Sequence, residues 1–419
     1  MNETPKRYHI WTIGCQMNKA ESDRLASLFE KHGMQSTGTV NNADLIVLNT
    51  CVVRKHAEDK ATNKIAILKA LKKANPQVKI AVTGCSVDSD VTRLKKAYPH
   101  VDYFFKAGEC PPWENREEWA QSLPENPPVT AYVPIIQGCN NFCAYCIVPY
   151  RRGREKSRPF DDIVCEVREL VRRGVREVTL LGQNVDSYGR DLPEKRQLAD
   201  LLYELNDIDG LWRIRFLTNH PKDMSERLIE AIASCDKVCE AINLPAQAGS
   251  DEILTLMRRG YTISEYRSLI ANIRRHISGI ALSNDIIVGF PTETEEQFEQ
   301  TVKLLIELRF DAVHAAAYSP REGTLAAREM QDDISATEKK RRLTLIEQLQ
   351  EKIATEINAD LLDKELEILV EGKQKGKWFG RTRTDKPVFF EANENWYGKL
   401  ATIRIDRTSP WSLQGTVAK

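Results

Sequence analysis

The chain has 419 residues, 60 Lys or Arg against 60 Asp or Glu, and 42% apolar residues. That length suggests about three domains, and the apolar share suffices for ordinary cores without disulfide staples. Zero net charge excludes a globally basic nucleic-acid binder, so any RNA contact must rest on local patches. The start "MNETPKRYHI" has no apolar leader, and no stretch approaches the roughly 18 apolar residues of a membrane helix. A soluble, cytoplasmic protein is expected. Its ten cysteines are then expected to be small core residues, metal ligands or reactive groups rather than disulfides.

In chain order, "YHIWTIGC" reads as a strand ending at Cys15 and "ESDRLASLFEKHG" as a helix stopped by Gly33. "ADLIVLNTC" is a strand ending at Cys51, "AEDKATNKIAILKALKKANP" an amphipathic helix, and "VKIAVTGC" a strand ending at Cys85. Alternating strands and helices imply a parallel α/β sheet of the flavodoxin or Rossmann kind over residues 5–110. The three cysteines are spaced by 36 and 34 residues, one βαβ unit each. Loops after parallel strands open on one edge of the sheet, so Cys15, Cys51 and Cys85 should converge.

Residues 111–130 carry five prolines and read as a linker. From 131 to 362 the alternation resumes, with candidate strands "AYVPIIQG", "EVTLLGQN", "RIRFLTN", "EAINLPAQ", "ALSNDIIVGFP" and "DAVHAAAYS". Six such units fit a partial (β/α)6 barrel of the TIM type, with catalytic groups on the loops after its strands. A long charged helix, "SATEKKRRLTLIEQLQEKIATEINADLL", follows. Residues 363–419 turn strand-like and read as a small all-β barrel. From Leu366 onward there are ten Lys or Arg against six Asp or Glu. Lys373, Lys375, Lys377, Arg381, Arg383 and Lys386 cluster there around Trp378 and Phe379, a combination that suits RNA phosphates and unstacked bases; Lys377, Trp378, Arg381 and Arg383 are the candidate RNA contacts.

The stretch "QGCNNFCAYCIVPYRRGRE" places Cys139, Cys143 and Cys146 at C-x3-C-x2-C spacing after the first barrel strand. Three thiolates at one point need positive charge, hence a metal centre. Structural zinc takes four protein ligands. A fourth would have to be a histidine or Cys165, which lies mid-helix on what reads as a core face. An iron–sulfur cube held by three thiolates instead leaves one iron open to a substrate or cofactor.

With Tyr145 before its last cysteine, this motif resembles the radical S-adenosylmethionine (SAM) superfamily. The domain order and the stretches "GCQMNKAESDRL", "LNTCVVRKHAEDKA", "LLGQNVDSYG", "LPAQAGSDEILTLMRRGYT", "NDIIVGFPTETEEQF" and "AAYSPREGT" resemble its methylthiotransferase family over nearly the whole chain, the last domain being similar to a TRAM domain. The resemblance implies two 4Fe-4S clusters. Cys139, Cys143 and Cys146 would hold the one that binds SAM. Cys15, Cys51 and Cys85 would hold an auxiliary one that carries the sulfur. It implies that one SAM methylates that sulfur and a second supplies a 5′-deoxyadenosyl radical. "CNNFCAYCIVPYRRGRE" and "GRTRTDKPVFF" are most similar to the tRNA branch, which implies methylthiolation of carbon 2 of N6-isopentenyladenosine beside the anticodon.

Tyr145 is expected beside the SAM adenine, and Gln183, Asn184, Gln247 and Asn284, with Ser250 and Asp285, are candidates for its polar groups. Arg151, Arg152 and Arg154 are candidates for gripping the tRNA backbone or the SAM carboxylate. His220 reads as a packing histidine, and Cys110, Cys165, Cys235 and Cys239 as structural. The expected partners are the anticodon stem-loop of tRNA and a reductant such as flavodoxin or ferredoxin, with no membrane, the chain acting as a monomer. Competing readings are a sister enzyme acting on N6-threonylcarbamoyladenosine, another acting on a ribosomal-protein aspartate, a non-enzymatic iron–sulfur RNA sensor, and a zinc-only RNA module.

Overall fold

The computed structural model describes residues 6–53, 55–88 and 90–418. Pro5 and Lys419, the outer bounds drawn from sequence, lie outside them. The first domain runs β1 (Arg7–Thr12), α1 (Gln16–Lys31), β2 (Gln35–Ser36), β3 (Leu45–Thr50), α2 (Lys55–Ala74), β4 (Lys79–Gly84), α3 (Val91–Ala97) and β5 (Tyr103–Phe104). Its sheet is ordered β2-β1-β3-β4-β5 with every pairing parallel. β3 ("LIVLNT") is buried along its whole length, as a central parallel strand covered on both faces must be. Its alternate residues split between two cores. Ile46 and Leu48 meet Ile65 and Leu68 of α2, while Leu45 and Val47 meet Leu25, Leu28 and Phe29 of α1. The stretch read as a linker contains α4 (Arg116–Gln121), capped by Asn115. Trp119 is buried in the α1-side core. Prolines break the regular pattern there, but tryptophan burial fixes the segment to the first domain.

The second domain follows as β6 (Thr130–Pro134), β7 (Ile136–Gln137), α5 (Val148–Arg152), β8 (Lys156–Ser157), α6 (Phe160–Arg172), β9 (Glu177–Leu181), α7 (Leu198–Asn206), β10 (Arg213–Phe216), α8 (Glu226–Ser234), β11 (Ala241–Asn243), α9 (Asp251–Leu256), α10 (Ile263–His276), β12 (Ala281–Val288), α11 (Glu295–Leu308), β13 (Ala312–Ala317), α12 (Leu325–Glu329) and α13 (Ala336–Ala359). All six expected barrel strands form. They make two parallel three-stranded sheets, β10-β9-β6 and β11-β12-β13, bridged between Ile214 and Val238. Helix starts follow the sequence chemistry: Thr262 with Glu265, and Thr294 with Gln297, close capping boxes on α10 and α11. Cys165 corrects its expected place. In α6 the core face is Ile163, Val164, Val167, Leu170 and Val171, and the helical period turns Cys165 outward, where it is exposed.

The third domain is a closed barrel, β14 (Glu365–Gln374), β15 (Lys377–Thr382), β16 (Pro387–Phe390), β17 (Leu400–Thr408) and β18 (Leu413–Val417), ordered β14-β15-β16-β18-β17. It caps the N-terminal end of the large barrel. Arg213 and Arg215 of β10 donate to the carbonyls of Arg381, Thr382 and Arg383. Arg383 pairs with Glu240, and Lys386 with Asp311. The first domain docks along the β6 edge of the large barrel and the C-terminal ends of its strands: Met17 and Ala20 of α1 pack with Tyr132 of β6 and Leu181 of β9, and Arg24 pairs with Glu166 at 3.0 Å.

Candidate active site

Cys15, Cys51 and Cys85 each follow a strand of the first sheet, and the loops carrying them interlock. Cys85 N donates to Thr50 O at 2.8 Å. Thr50 Oγ1 reaches Thr83 O and Ser86 Oγ, each at 2.5 Å. Asn18, fully buried, accepts from Cys15 N and Sγ through Oδ1 and donates through Nδ2 to Asn49 Oδ1 at 2.7 Å and Thr50 O at 3.0 Å. Asn49 returns a bond to Asn18 O. Asn18 thus ties the first cysteine loop to the second, and Thr50 ties the second to the third. These bonds bring the three cysteine-bearing loops together at one edge of the sheet. The Cys51 and Cys85 thiols lie close enough to interact, which draws Cys51 below its ordinary value and, with burial, pushes Cys85 up.

The second triad lies on the β7–α5 loop. Gly138 opens it at φ 80, and a Cβ there would collide with the Arg154 carbonyl, so only glycine admits this close strand approach. Cys139 and Cys143 are buried and Cys146 half-buried. Burial pushes the Cys139 thiol up to about 11 and the Cys146 thiol up to about 12. Three such sulfurs are stable as thiolates only beside compensating positive charge. One source is Arg259, buried, whose Nη1 donates to Cys143 Sγ at 3.3 Å. Among the described residues no three His, Cys, Asp or Glu side chains stand at the spacing of one metal ion. Thiolates of a polynuclear cluster bind different irons and stand farther apart.

The two triads are neighbours. Ile147, directly after Cys146, packs with Cys85 and Val52, and Arg152 at the end of α5 donates to Cys85 Sγ at 3.2 Å and pairs with Glu21 at 2.8 Å. Above the barrel strands several buried polar atoms have no protein partner: Asn184 Oδ1, Asn219 Oδ1, His220 Nε2, Gln247 Oε1 and Asn284 Nδ2. They belong to β12 and to loops after β9, β10 and β11. Orphaned buried donors and acceptors concentrated at one end of a barrel are what a polar ligand would satisfy. The donor chemistry of both triads and these orphans fit iron–sulfur clusters and an amino-acid-bearing cofactor.

The remaining sequence candidates fall as follows. Tyr145 is half-buried, with its ring 6.5 Å from Phe290. Gln183 is occupied: its Oε1 accepts from Gly138 N at 2.5 Å, holding the cysteine loop. Asn184 donates to Asp223 at 2.7 Å. Asn284 accepts from Ala246 N at 2.7 Å, Ser250 bonds Glu252, and Asp285 accepts from Asn243. Gln247 sits at φ 74, and its backbone bonds both Asp285 O and Ile287 N. Arg154 is exposed over the Phe142 ring, and Arg151 pairs with Asp88. Arg152 corrects its expected role in gripping the tRNA backbone: its side chain is 2% exposed and bonded to Cys85 and Glu21 of the first domain. Trp378 is a second correction. β15 alternates, so Trp378 points into the small barrel's core, its Nε1 bonded to Ala392 O, while Lys377, Phe379 and Arg381 are half-buried. Lys377 pairs with Glu391, Arg381 with Glu371 and Asp385, and Arg383 with Glu240 across the domain seam. His220 is buried and held neutral, its pKa pushed down to about 2 by burial. Sequence reasoning missed Asn18, Asn49 and Arg259, although all three lie inside stretches that carried the resemblance.

Family models match in three segments: the radical SAM superfamily over residues 133–305, uncharacterized protein family UPF0004 over 7–106, and the TRAM domain over 362–418. A tRNA-2-methylthio-N(6)-dimethylallyladenosine synthase of Dehalococcoides mccartyi is 55% identical over 98% of both chains. The chain belongs to that synthase family. Family members named alike in Herpetosiphon aurantiacus and Thermoanaerobacter pseudethanolicus are 47% and 45% identical, covering 98% of this chain and 97% and 93% of theirs. A solved radical S-adenosylmethionine methyltransferase, TsrM of Kitasatospora setae, with cobalamin and a 4Fe-4S cluster bound, shares the fold at a TM-score of 0.54, covering 77% of each chain at 13% identity. Membership makes the chain a transferase of the radical SAM class, which uses a 4Fe-4S cluster and SAM. Among the described residues no helix is long and apolar enough to cross a membrane.

Proposed function

We propose that the chain methylthiolates carbon 2 of N6-isopentenyladenosine in tRNA, beside the anticodon. The observation that carries this is family membership at 55% identity over 98% of the chain, joined to two cysteine triads that abut at one end of the barrel. Cys139, Cys143 and Cys146 would hold the cluster that binds SAM, and Cys15, Cys51 and Cys85 the auxiliary one. A purine C–H is neither acidic nor displaceable, and these groups supply the radical and the sulfur when bound. The protein's part is placement. Asn184, Gln247 and Asn284 offer their unpartnered atoms to the polar groups of SAM, and Tyr145 flanks its adenine. Gln183 holds Gly138 and with it the cysteine loop. Met17, Ala20 and Leu181 join the two domains beside the triads, fixing their separation, which matters because small displacements cost rate heavily.

Arg151, Arg154, Lys377, Arg381 and Arg383 are the proposed RNA contacts. Arg154 is the freest of them, while Arg383 would have to exchange its Glu240 partner. The partners are the tRNA anticodon stem-loop and a flavodoxin- or ferredoxin-like reductant, with the chain acting as a monomer in the cytoplasm, where tRNA is held. Mass spectrometry of tRNA nucleosides from a deletion strain tests the reading. Loss of the methylthio group with accumulation of isopentenyladenosine is expected. Unmodified threonylcarbamoyladenosine in its place would overturn it.

A further inference from the structure

Arg152 is the last residue of α5, six positions after Cys146, and it crosses from the barrel into the first domain. Its Nε donates to Cys85 Sγ at 3.2 Å and its Nη1 to Glu21 Oε1 at 2.8 Å. The Arg152 and Glu21 side chains are 2% and 9% exposed, and Ile147 and Val52 seal Cys85 on its other side. The other triad has a parallel contact, Arg259 to Cys143 at 3.3 Å, but the remaining Arg259 bonds go to Tyr261 and the Pro245 carbonyl rather than to a carboxylate. Among the described residues each triad therefore has one buried guanidinium on one sulfur, and that of the Cys15–Cys51–Cys85 triad is paired with a carboxylate while Arg259 is not.

We propose that Arg152 and Glu21 are positioning residues that set the reduction potential of the cluster held by Cys15, Cys51 and Cys85. The inference rests on the reading that this triad holds a cluster. A positive charge and a hydrogen bond on a cysteine sulfur stabilise the more negative, reduced state. Cys85 itself is 2% exposed, and burial strengthens that effect at its sulfur, although Cys15 of the same triad is exposed. Glu21 offsets part of it. The two side chains thus act with opposite sign on the same sulfur, whereas a purely structural pair would loosen the site in one direction whichever member was removed.

The test uses the full chain with Cys139, Cys143 and Cys146 changed to Ala, so that only this cluster is present. It is reconstituted anaerobically and titrated with dithionite and mediators under electron paramagnetic resonance. Arg152→Met is expected to lower the reduced-to-oxidised ratio at fixed potential by about tenfold, equivalent to about 59 mV for a one-electron couple. Glu21→Gln shifts the ratio the other way, and Arg152→Lys falls between Arg152→Met and the parent. Unmoved potentials, or shifts of the same sign for Arg152→Met and Glu21→Gln, overturn the proposal. If Arg152→Met loads no iron, the sign of Glu21→Gln alone decides, since that variant keeps every donor to Cys85. A parent that binds no iron overturns the cluster reading and this inference with it. A loaded parent with unmoved potentials overturns this inference alone.

Discussion

Gly84 leaves the first triad almost no tolerance. It sits at φ 92 just before Cys85, and a Cβ there would run into the Thr50 backbone and Asn49. Gly84→Ala should cost about 1–3 kcal/mol for the left-handed backbone alone and displace Cys85 from Cys51. The expected result is loss of the iron bound by the first domain with the barrel's iron retained, read as iron per chain beside a thermal melt. Asp186 offers a second test. Burial raises its pKa from 3.8 to about 7, although Asn219 and the His220 amide both donate to it. Between those values the native chain holds a proton that the unfolded chain has released, so stability falls as pH rises through that window. At 1.36 kcal/mol per unit, the loss is about 4 kcal/mol. Asp186→Asn should flatten the dependence, as measured by urea denaturation at a series of pH values. The six cysteines were legible because strand endings and short spacings are local patterns. Asn18, Asn49 and Arg259 were not, because their roles are bonds to residues that only the fold brings near, and an asparagine or arginine in a helix or loop carries no such signal by itself.

At the scale of elements, hydrophobic periodicity located every barrel strand and the long helices, but not what docks on them. The seam between the large barrel and the TRAM domain is built from charges that a sequence reading assigns to solvent or RNA. Arg215 is 7% exposed, bonded to Glu177 at 3.0 Å and to the carbonyls of Thr382 and Arg383. Arg215→Ala leaves Glu177 buried without its partner and strips two carbonyls of their donor, a loss of about 3–5 kcal/mol. The expected signs are a lower unfolding midpoint and new protease cleavage between α13 and β14. Replacing Arg215 and Glu177 together by Met and Leu should recover part of the loss, because no lone charge then stays buried. Trp378 and Cys165 show the same limit in reverse. Strand and helix periods do predict that they point inward and outward respectively, but the composition around them, basic for the one and apolar for the other, suggested the opposite.

In the whole molecule, the TRAM domain closes the N-terminal end of the large barrel, while the first domain packs along its β6 edge and brings its cysteine loops to the end where the second triad and the unpartnered polar atoms gather. Domain order was readable along the chain, since each domain has its own rhythm. The opposed docking was not, since it depends on interdomain pairs such as Arg24–Glu166 and Arg383–Glu240 that join positions over a hundred residues apart. If the triads hold separate clusters serving separate tasks, removing either should leave the other's chemistry standing. Cys15, Cys51 and Cys85 changed together to Ala should leave roughly half the iron and preserve reductive cleavage of SAM to 5′-deoxyadenosine, with no methylthiolated nucleoside formed. The same change at Cys139, Cys143 and Cys146 should also leave roughly half the iron yet abolish cleavage. Iron analysis and chromatography of the nucleosides on both variants decide the matter. Loss of cleavage in the first variant would mean that the triads form one interdependent centre, as the shared contacts of Ile147 and Arg152 with Cys85 would then require.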